Sequence, residues 1–180
     1  TGVGCLFVRE KWLNEMQPYR YGGGMIDIVT EEKTTFDELP ARLEAGTPNY
    51  SGIITWGAAL DYLMDIGIER IASYEEELIK KAEEVLETIP QVNILGHPKQ
   101  RAGCISIQIE GVHPYDFASM IDKYGVAVRT GSMCAQPIVN KMGLDTVIRI
   151  SPAFYNTMEE MEKLGEYTEK VIAFFERIKR

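Results

Sequence analysis

From about residue 67 to the C-terminus, apolar residues recur at helical spacing in some segments and alternate singly in others, and few folds accommodate that succession. Ile71, Tyr74, Leu78, Ala82, Val85 and Ile89 fall on one helical stripe, while Glu75 to Glu77 and Lys80-Lys81 lie on the face expected to meet water. Val92 to Leu95 reads as a strand, and Ile105, Ile107 and Ile109 alternate with Ser106 and Gln108 as a half-exposed strand does. His113-Pro114 opens a second helix with the stripe Phe117, Met120, Ile121 and Tyr124, which Gly125 stops before a short strand at Val126 to Val128. Val147 to Ile150 gives another strand. Thr157 with Glu160 forms a capping-box signature for a last helix lined by Met161, Leu164, Val171, Phe175 and Ile178. The order α, β, β, α, β, β, α predicts an α/β unit, a mixed or antiparallel sheet with helices packed on one face.

The first third has another texture. Val3 to Val8 is a strand-like apolar run that starts almost at once, and it reads as a strand cut off from what precedes it. Gly22-Gly23-Gly24 marks a turn or a close backbone approach, Ile26 to Thr30 alternates as a strand, and Glu31 to Pro40 reads as an exposed loop. Asn49 stands where an N-cap would open a helix from Tyr50 to Ile66. That helix is apolar nearly all round and is expected to be buried on several sides. Gly67 is a plausible residue just beyond its C-terminus. The chain is therefore read as two units, 1–66 and 67–180.

With 19 basic and 27 acidic residues, the net charge of −8 repels a phosphate backbone and an anionic membrane surface, so nucleic acid is not an expected partner. No apolar run approaches the roughly 18 residues a membrane span needs. The three cysteines, Cys5, Cys104 and Cys134, are far apart, and neither they nor His97 and His113 make a metal-ligand spacing. Sparse, unpaired cysteines and no signal-peptide pattern make the cytoplasm the expected compartment. Both histidines precede prolines, where capping or exposed roles are expected.

Three places could carry chemistry. Arg129-Thr130-Gly131-Ser132-Met133-Cys134-Ala135-Gln136-Pro137 lies between a strand end and a short helical segment. A thiol on such a loop can meet a ligand, and a guanidinium nearby favours thiolate, the reactive form; the competing reading is a small buried hydrophobe. Arg149 interrupts an apolar strand, so it either meets an anion, its fork suiting a carboxylate, or faces outward in a salt bridge. Gly46-Thr47-Pro48-Asn49 at a helix start could offer N–H groups and a hydroxyl to phosphate, or be an ordinary turn.

Taken in order, several segments resemble the cysteine desulfurases, and within the class-V aminotransferases their SufS-like group. They are Thr1-Gly2-Val3-Gly4, Gly22 to Met25, Phe36 through Glu44 to Asn49, Arg129-Thr130-Gly131 through Cys134-Ala135-Gln136-Pro137, and Arg149 through Tyr155-Asn156-Thr157. The resemblance implies fold type I of the pyridoxal 5'-phosphate (PLP) enzymes, with 1–66 the end of the large cofactor-binding domain and 67–180 the small C-terminal domain. It implies L-cysteine as substrate and Cys134 as the thiolate that takes its sulfur as a persulfide for iron–sulfur cluster assembly, leaving alanine. Arg149 corresponds to the arginine that binds the substrate carboxylate, Arg129 to the one at the base of the cysteine loop, and Thr47 to the threonine that reaches the partner subunit's PLP phosphate. A homodimer and a sulfur-acceptor protein are implied with them.

Two departures from that pattern have consequences. The family's Schiff-base lysine precedes the T-G-x-G stretch, and none of the ten lysines here sits in that motif, so the 180 residues alone are expected to be inactive and to hold no PLP. Ser132-Met133 replaces a histidine-containing pair, which leaves open a selenocysteine lyase or another class-V enzyme. A non-catalytic module for dimerisation or acceptor docking is the rival from outside catalysis. Cys5 and Cys104, each in an apolar run, are expected to be packed and slow to react.

Overall fold

The computed structural model describes residues 2–99, 101 and 103–178. The chain forms two compact units, residues 1–65 and 66–180, described in turn.

In the first unit, Val3 to Val8 forms no strand. The run is coil, with Leu6 and Phe7 exposed, because an alternating segment becomes a strand only where a neighbouring edge takes up its N–H and C=O groups. A four-residue helix, α1 (Glu10–Leu13), follows, and its last carbonyls are met by Arg42, whose Nη2 donates to Leu13 O at 2.8 Å and Asn14 O at 3.0 Å. β1 (Ile26–Val29) pairs antiparallel with β2 (Thr34–Phe36), a strand within the stretch expected to be loop; Thr30 Oγ1 accepts from Lys33 N at 3.0 Å and closes the turn. Helix α2 (Tyr50–Ile66) begins as expected, with Gly52 N donating to Asn49 Oδ1 at 3.0 Å. Its burial does not follow expectation. No residue of α2 is buried, and Ile53, Ile54, Leu60 and Met64 are all exposed. An apolar circumference shows that a helix can be covered on many sides, but this unit supplies no second layer to cover it.

The second unit is built on a four-stranded antiparallel sheet. Its strands are β3 (Val92–Ile94), β4 (Ile105–Ile109), β5 (Arg129–Gly131) and β6 (Val147–Ile150), in the order β3-β4-β6-β5. The helices are α3 (Ile68–Glu87), α4 (Pro114–Ile121), α5 (Gln136–Lys141) and α6 (Met158–Ile178). Ile105, Ile107 and Ile109 of β4 and Ile148 and Ile150 of β6 turn inward to Leu78 and Leu86 of α3, Phe117 and Ile121 of α4, and Leu164 and Val171 of α6. The antiparallel sheet with helices over one face is as the periodicities predict. Helices α3 and α6 approach closely at Gly165, where a Cβ would stand 3.2 Å from that of Val85. The strand expected at Val126 to Val128 is coil instead, and β5 starts one residue beyond that segment, on Arg129, because its pairing is set by register with β6.

The capping box at α6 forms in full. Glu160 N donates to Thr157 Oγ1 at 3.2 Å and Thr157 N to Glu160 Oε2 at 2.9 Å, with Asn156 Nδ2 adding a third bond at 3.0 Å. Asn156, and after it the Thr157 amide, hold the Glu160 carboxyl below the usual glutamate range, against a smaller opposing effect of desolvation. A folded-state value below the unfolded one means that this stabilisation is present at neutral pH and is lost as pH falls through the folded value. Thr157→Ala should cost about 1 kcal/mol of the second unit's stability, read from urea unfolding at pH 7. An unchanged midpoint would show the cap to be energetically idle.

Candidate functional site

Cys134 sits on a turn at the exit of the edge strand. Beyond Gly131 the chain reverses, Ala135 N donating to Ser132 O at 2.9 Å, and α5 starts with Pro137 in its first turn. Met133 and Cys134 have φ of 52° and 61°, and they are the non-glycine residues of the described chain in the left-handed region. Each such residue costs roughly 1–2 kcal/mol, so two in succession persist only where flanking structure dictates them. Here a strand on one side and a helix on the other do so, and the thiol is exposed. The buried-hydrophobe reading of Cys134 therefore does not hold.

The other thiols correct an expectation. Cys104, just before β4, is half-buried, but Cys5 is exposed, since the run that was to bury it makes no strand. Under native alkylation with mass-spectrometric mapping, Cys104 should label slowest and both Cys5 and Cys134 readily. Equal rates at all three would contradict this burial order.

Arg149 faces away from the core, between Ile148 and Ile150, both of which are buried. Its direct partner on β5 is Arg129 and on β4 is Ser106, so Ser106, Arg149 and Arg129 form one row across three strands. Like charges directly opposite on paired strands repel. No aspartate or glutamate occurs on any of the four strands, although the chain carries 27 acidic residues. Of the ion pairs among the described residues, Lys81–Glu162, Arg101–Glu83, Lys163–Glu159 and Lys170–Glu166, none uses Arg129 or Arg149. Arg149 Nε is buried with no hydrogen-bond partner. The salt-bridge reading of Arg149 thus finds no acid to pair with, whereas a carboxylate arriving from solvent would meet two guanidinium forks.

The segment after Arg149 is fixed by contacts that periodicity did not reveal. Tyr74 Oη donates to Asn156 O at 2.9 Å, Phe154 N to Glu75 Oε1 at 3.1 Å, and Ala153 N to Asn156 Oδ1 at 2.9 Å. Glu75, placed by its spacing on the water-facing side of its helix, is half-buried and serves this loop. Its position next to the stripe residue Tyr74 was the available signal. Ser106 was legible only as a polar step in an alternating strand, because its place beside Arg149 depends on register. His113 is the N-cap of α4, accepting from Tyr115 N at 3.4 Å through Nδ1, and His97 lies in exposed coil.

Thr47 belongs to the first unit. It is exposed between Gly46, at φ +86°, and Pro48, and its hydroxyl makes no hydrogen bond among the described residues. No cluster of three or more His, Cys, Asp or Glu side chains among the described residues could hold a metal ion, and no helix among them is long and apolar enough to cross a membrane.

The sequence pattern of the class-V aminotransferases matches residues 1–164. The chain belongs to that family. A cysteine desulfurase of Salmonella agona is 44% identical over 165 residues, covering 91% of this chain and 40% of its own length. Among solved structures, the apo cysteine desulfurase of Thermococcus onnurineus NA1 superposes with a TM-score of 0.87 at 34% identity, over 93% of this chain and 42% of that one. The S-sulfonic acid form of the Escherichia coli desulfurase CsdA does so at 0.84 and 30%, over 92% and 41%. This class-V chain therefore has the fold of PLP-dependent desulfurases and spans about two fifths of the length of the relatives it matches.

Proposed function

We propose that this chain is part of a SufS-like cysteine desulfurase that takes sulfur from L-cysteine onto Cys134 and supplies it, through an acceptor protein, to iron–sulfur cluster assembly in the cytoplasm. Residues 1–66 would be the end of the large domain and 67–180 the small domain of a homodimer. The observation that carries the reading is the placement of Cys134, exposed on a doubly left-handed turn at the end of a strand whose first residue stands opposite Arg149.

The residues present fit the anionic groups such a site handles. Arg149, its Nε buried and unpartnered, with Arg129 beside it, would hold the substrate carboxylate; Thr47, its hydroxyl free, would donate to the PLP phosphate of the partner subunit. When bound, PLP supplies the electron sink that makes the substrate's Cβ–S bond labile. Held by its carboxylate, the substrate is kept from rotating its sulfur away from the Cys134 turn. The Cys134 thiolate attacks that sulfur, an S–S bond forms as the C–S bond breaks, the bond electrons stay with the carbon fragment, and protonation of that fragment gives alanine. Cysteine and enzyme thiol thus become alanine and enzyme persulfide, with no outside oxidant.

In the whole enzyme, Arg149→Ala should lower kcat/KM for L-cysteine by roughly 10- to 100-fold, mainly through KM, the cost of one charge-assisted hydrogen-bonding fork. The PLP absorbance spectrum should not change. Unaltered KM would move Arg149 to a purely structural role.

A further inference from the structure

The face of the second unit's sheet turned away from the core places a like-charge pair at the strand that leads to the thiol. Arg129 and Arg149 are direct cross-strand partners, so their Cβ atoms stand about 4.5–5.5 Å apart on one face. No strand of the sheet offers a carboxylate to separate the charges, and Arg149 Nε is buried without a partner. The strand bearing Arg129 is also a short edge strand, as β3 is at the opposite edge. β5 is three residues long, lies at the sheet edge and pairs with β6 alone. Its last residue, Gly131, opens directly onto the Ser132–Ala135 turn that carries Met133 and Cys134 in left-handed conformations. Repulsion acting at one end of so short an edge strand is not confined to that end.

We propose that a small carboxylate bridging Arg129 and Arg149 acts as a clamp: it turns the cross-strand repulsion into a shared ion pair, fastens β5 to β6, and thereby fixes the Cys134 turn. Binding at the arginines and presentation of the thiol are then coupled, each favouring the other by the same factor. Arg129, one of the two residues that touch the carboxylate, in this account also positions Cys134 through the backbone of β5. The inference rests on the reading of the two arginines as a carboxylate site, and adds to it a consequence for the thiol. All of the elements involved lie in residues 66–180, so the clamp operates without PLP.

The test uses the 180-residue chain with acetate or L-alanine at several hundred millimolar, against chloride at equal ionic strength and against L-alaninamide, which lacks the carboxylate. Three signals are followed: the Arg149 Nε–H resonance, amide exchange at Thr130 and Gly131, and the alkylation rate of Cys134 with Cys5 as internal reference. The carboxylates should shift the Nε–H resonance, slow β5 exchange by about 3- to 10-fold, and change Cys134 labelling while leaving Cys5 unaffected; chloride and alaninamide should do none of these. Arg129→Gln and Arg149→Gln should show slow β5 exchange without any anion, because the repulsion is gone, and no further slowing when a carboxylate is added, although in Arg129→Gln the Arg149 Nε–H resonance should still shift. Arg149→Lys keeps the repulsion and loses the fork, so it should exchange fast and respond weakly. An Nε–H shift with unchanged β5 exchange would overturn the clamp and leave the carboxylate site standing. No Nε–H shift with any carboxylate would overturn both.

Discussion

Cys134→Ser in the whole enzyme should abolish the cysteine-dependent persulfide and reduce alanine release by three or more orders of magnitude, while PLP content and absorbance stay at wild-type levels. A single atom changes, and the environment tolerates it: Cys134 is exposed, so the smaller oxygen leaves no cavity, and serine is not harder to hold at φ 61° than cysteine. The whole effect is therefore chemical. A hydroxyl at neutral pH is almost entirely protonated and is a poor nucleophile toward sulfur, whereas a thiol is intrinsically nucleophilic even with a few per cent thiolate. Loss of the nucleophile of a covalent mechanism typically removes 10³-fold or more of kcat, on the order of 4 kcal/mol of transition-state stabilisation. Persulfide is detected by mass spectrometry after incubation with L-cysteine, and alanine by chromatography. Persulfide persisting at wild-type level, or mapping to Cys5 or Cys104, would remove Cys134 from the mechanism.

What the sequence made legible follows a physical division. Signals internal to one element came through: the stripe of α3, that of α6 as far as Phe175, the Asn49 cap of α2, the Thr157–Glu160 box, and the alternation in β4 all depend on residues within a few positions of one another, whereas Ile178, expected on the α6 stripe, is exposed at the helix end. Signals that depend on a neighbour did not. Val3 to Val8 has strand chemistry and no edge to pair with; Thr34–Phe36 looks like polar loop and becomes a strand because Ile26–Val29 lies beside it. The apolar circumference of α2 reports surface that could be covered, not what covers it. At the site, the cysteine loop was legible because Gly131 and Pro137 bracket it, and Arg149 because a charge stands in an apolar run. Their relation was not legible. That Arg129 faces Arg149, with Ser106 on the other side, is fixed by antiparallel register, and one residue of slip would send the arginine to the core face.

Phe117→Ala should destabilise the second unit by about 3–5 kcal/mol, the largest loss expected from any single truncation in its core. Phe117 is fully buried, and α4, which carries it, packs against β5, β6 and α6. Alanine would leave a cavity lined by side chains already committed to other contacts, so collapse can recover little of it. A domain of this size is held by roughly 5–15 kcal/mol in all, and the variant would stand near the limit of folding. The same helix supports β5 from the core side, so the strand that begins at Arg129 and leads to Cys134 loses its support first. Amide exchange separates the two consequences. Protection in β4 and β6 should fall by an amount corresponding to the global loss, and β5 should lose protection at least as early. Phe117→Leu keeps most of the volume and should cost markedly less. A loss below about 1 kcal/mol for Phe117→Ala would mean that α4 is peripheral to the core and that β5 is held on the sheet by its pairing with β6 alone.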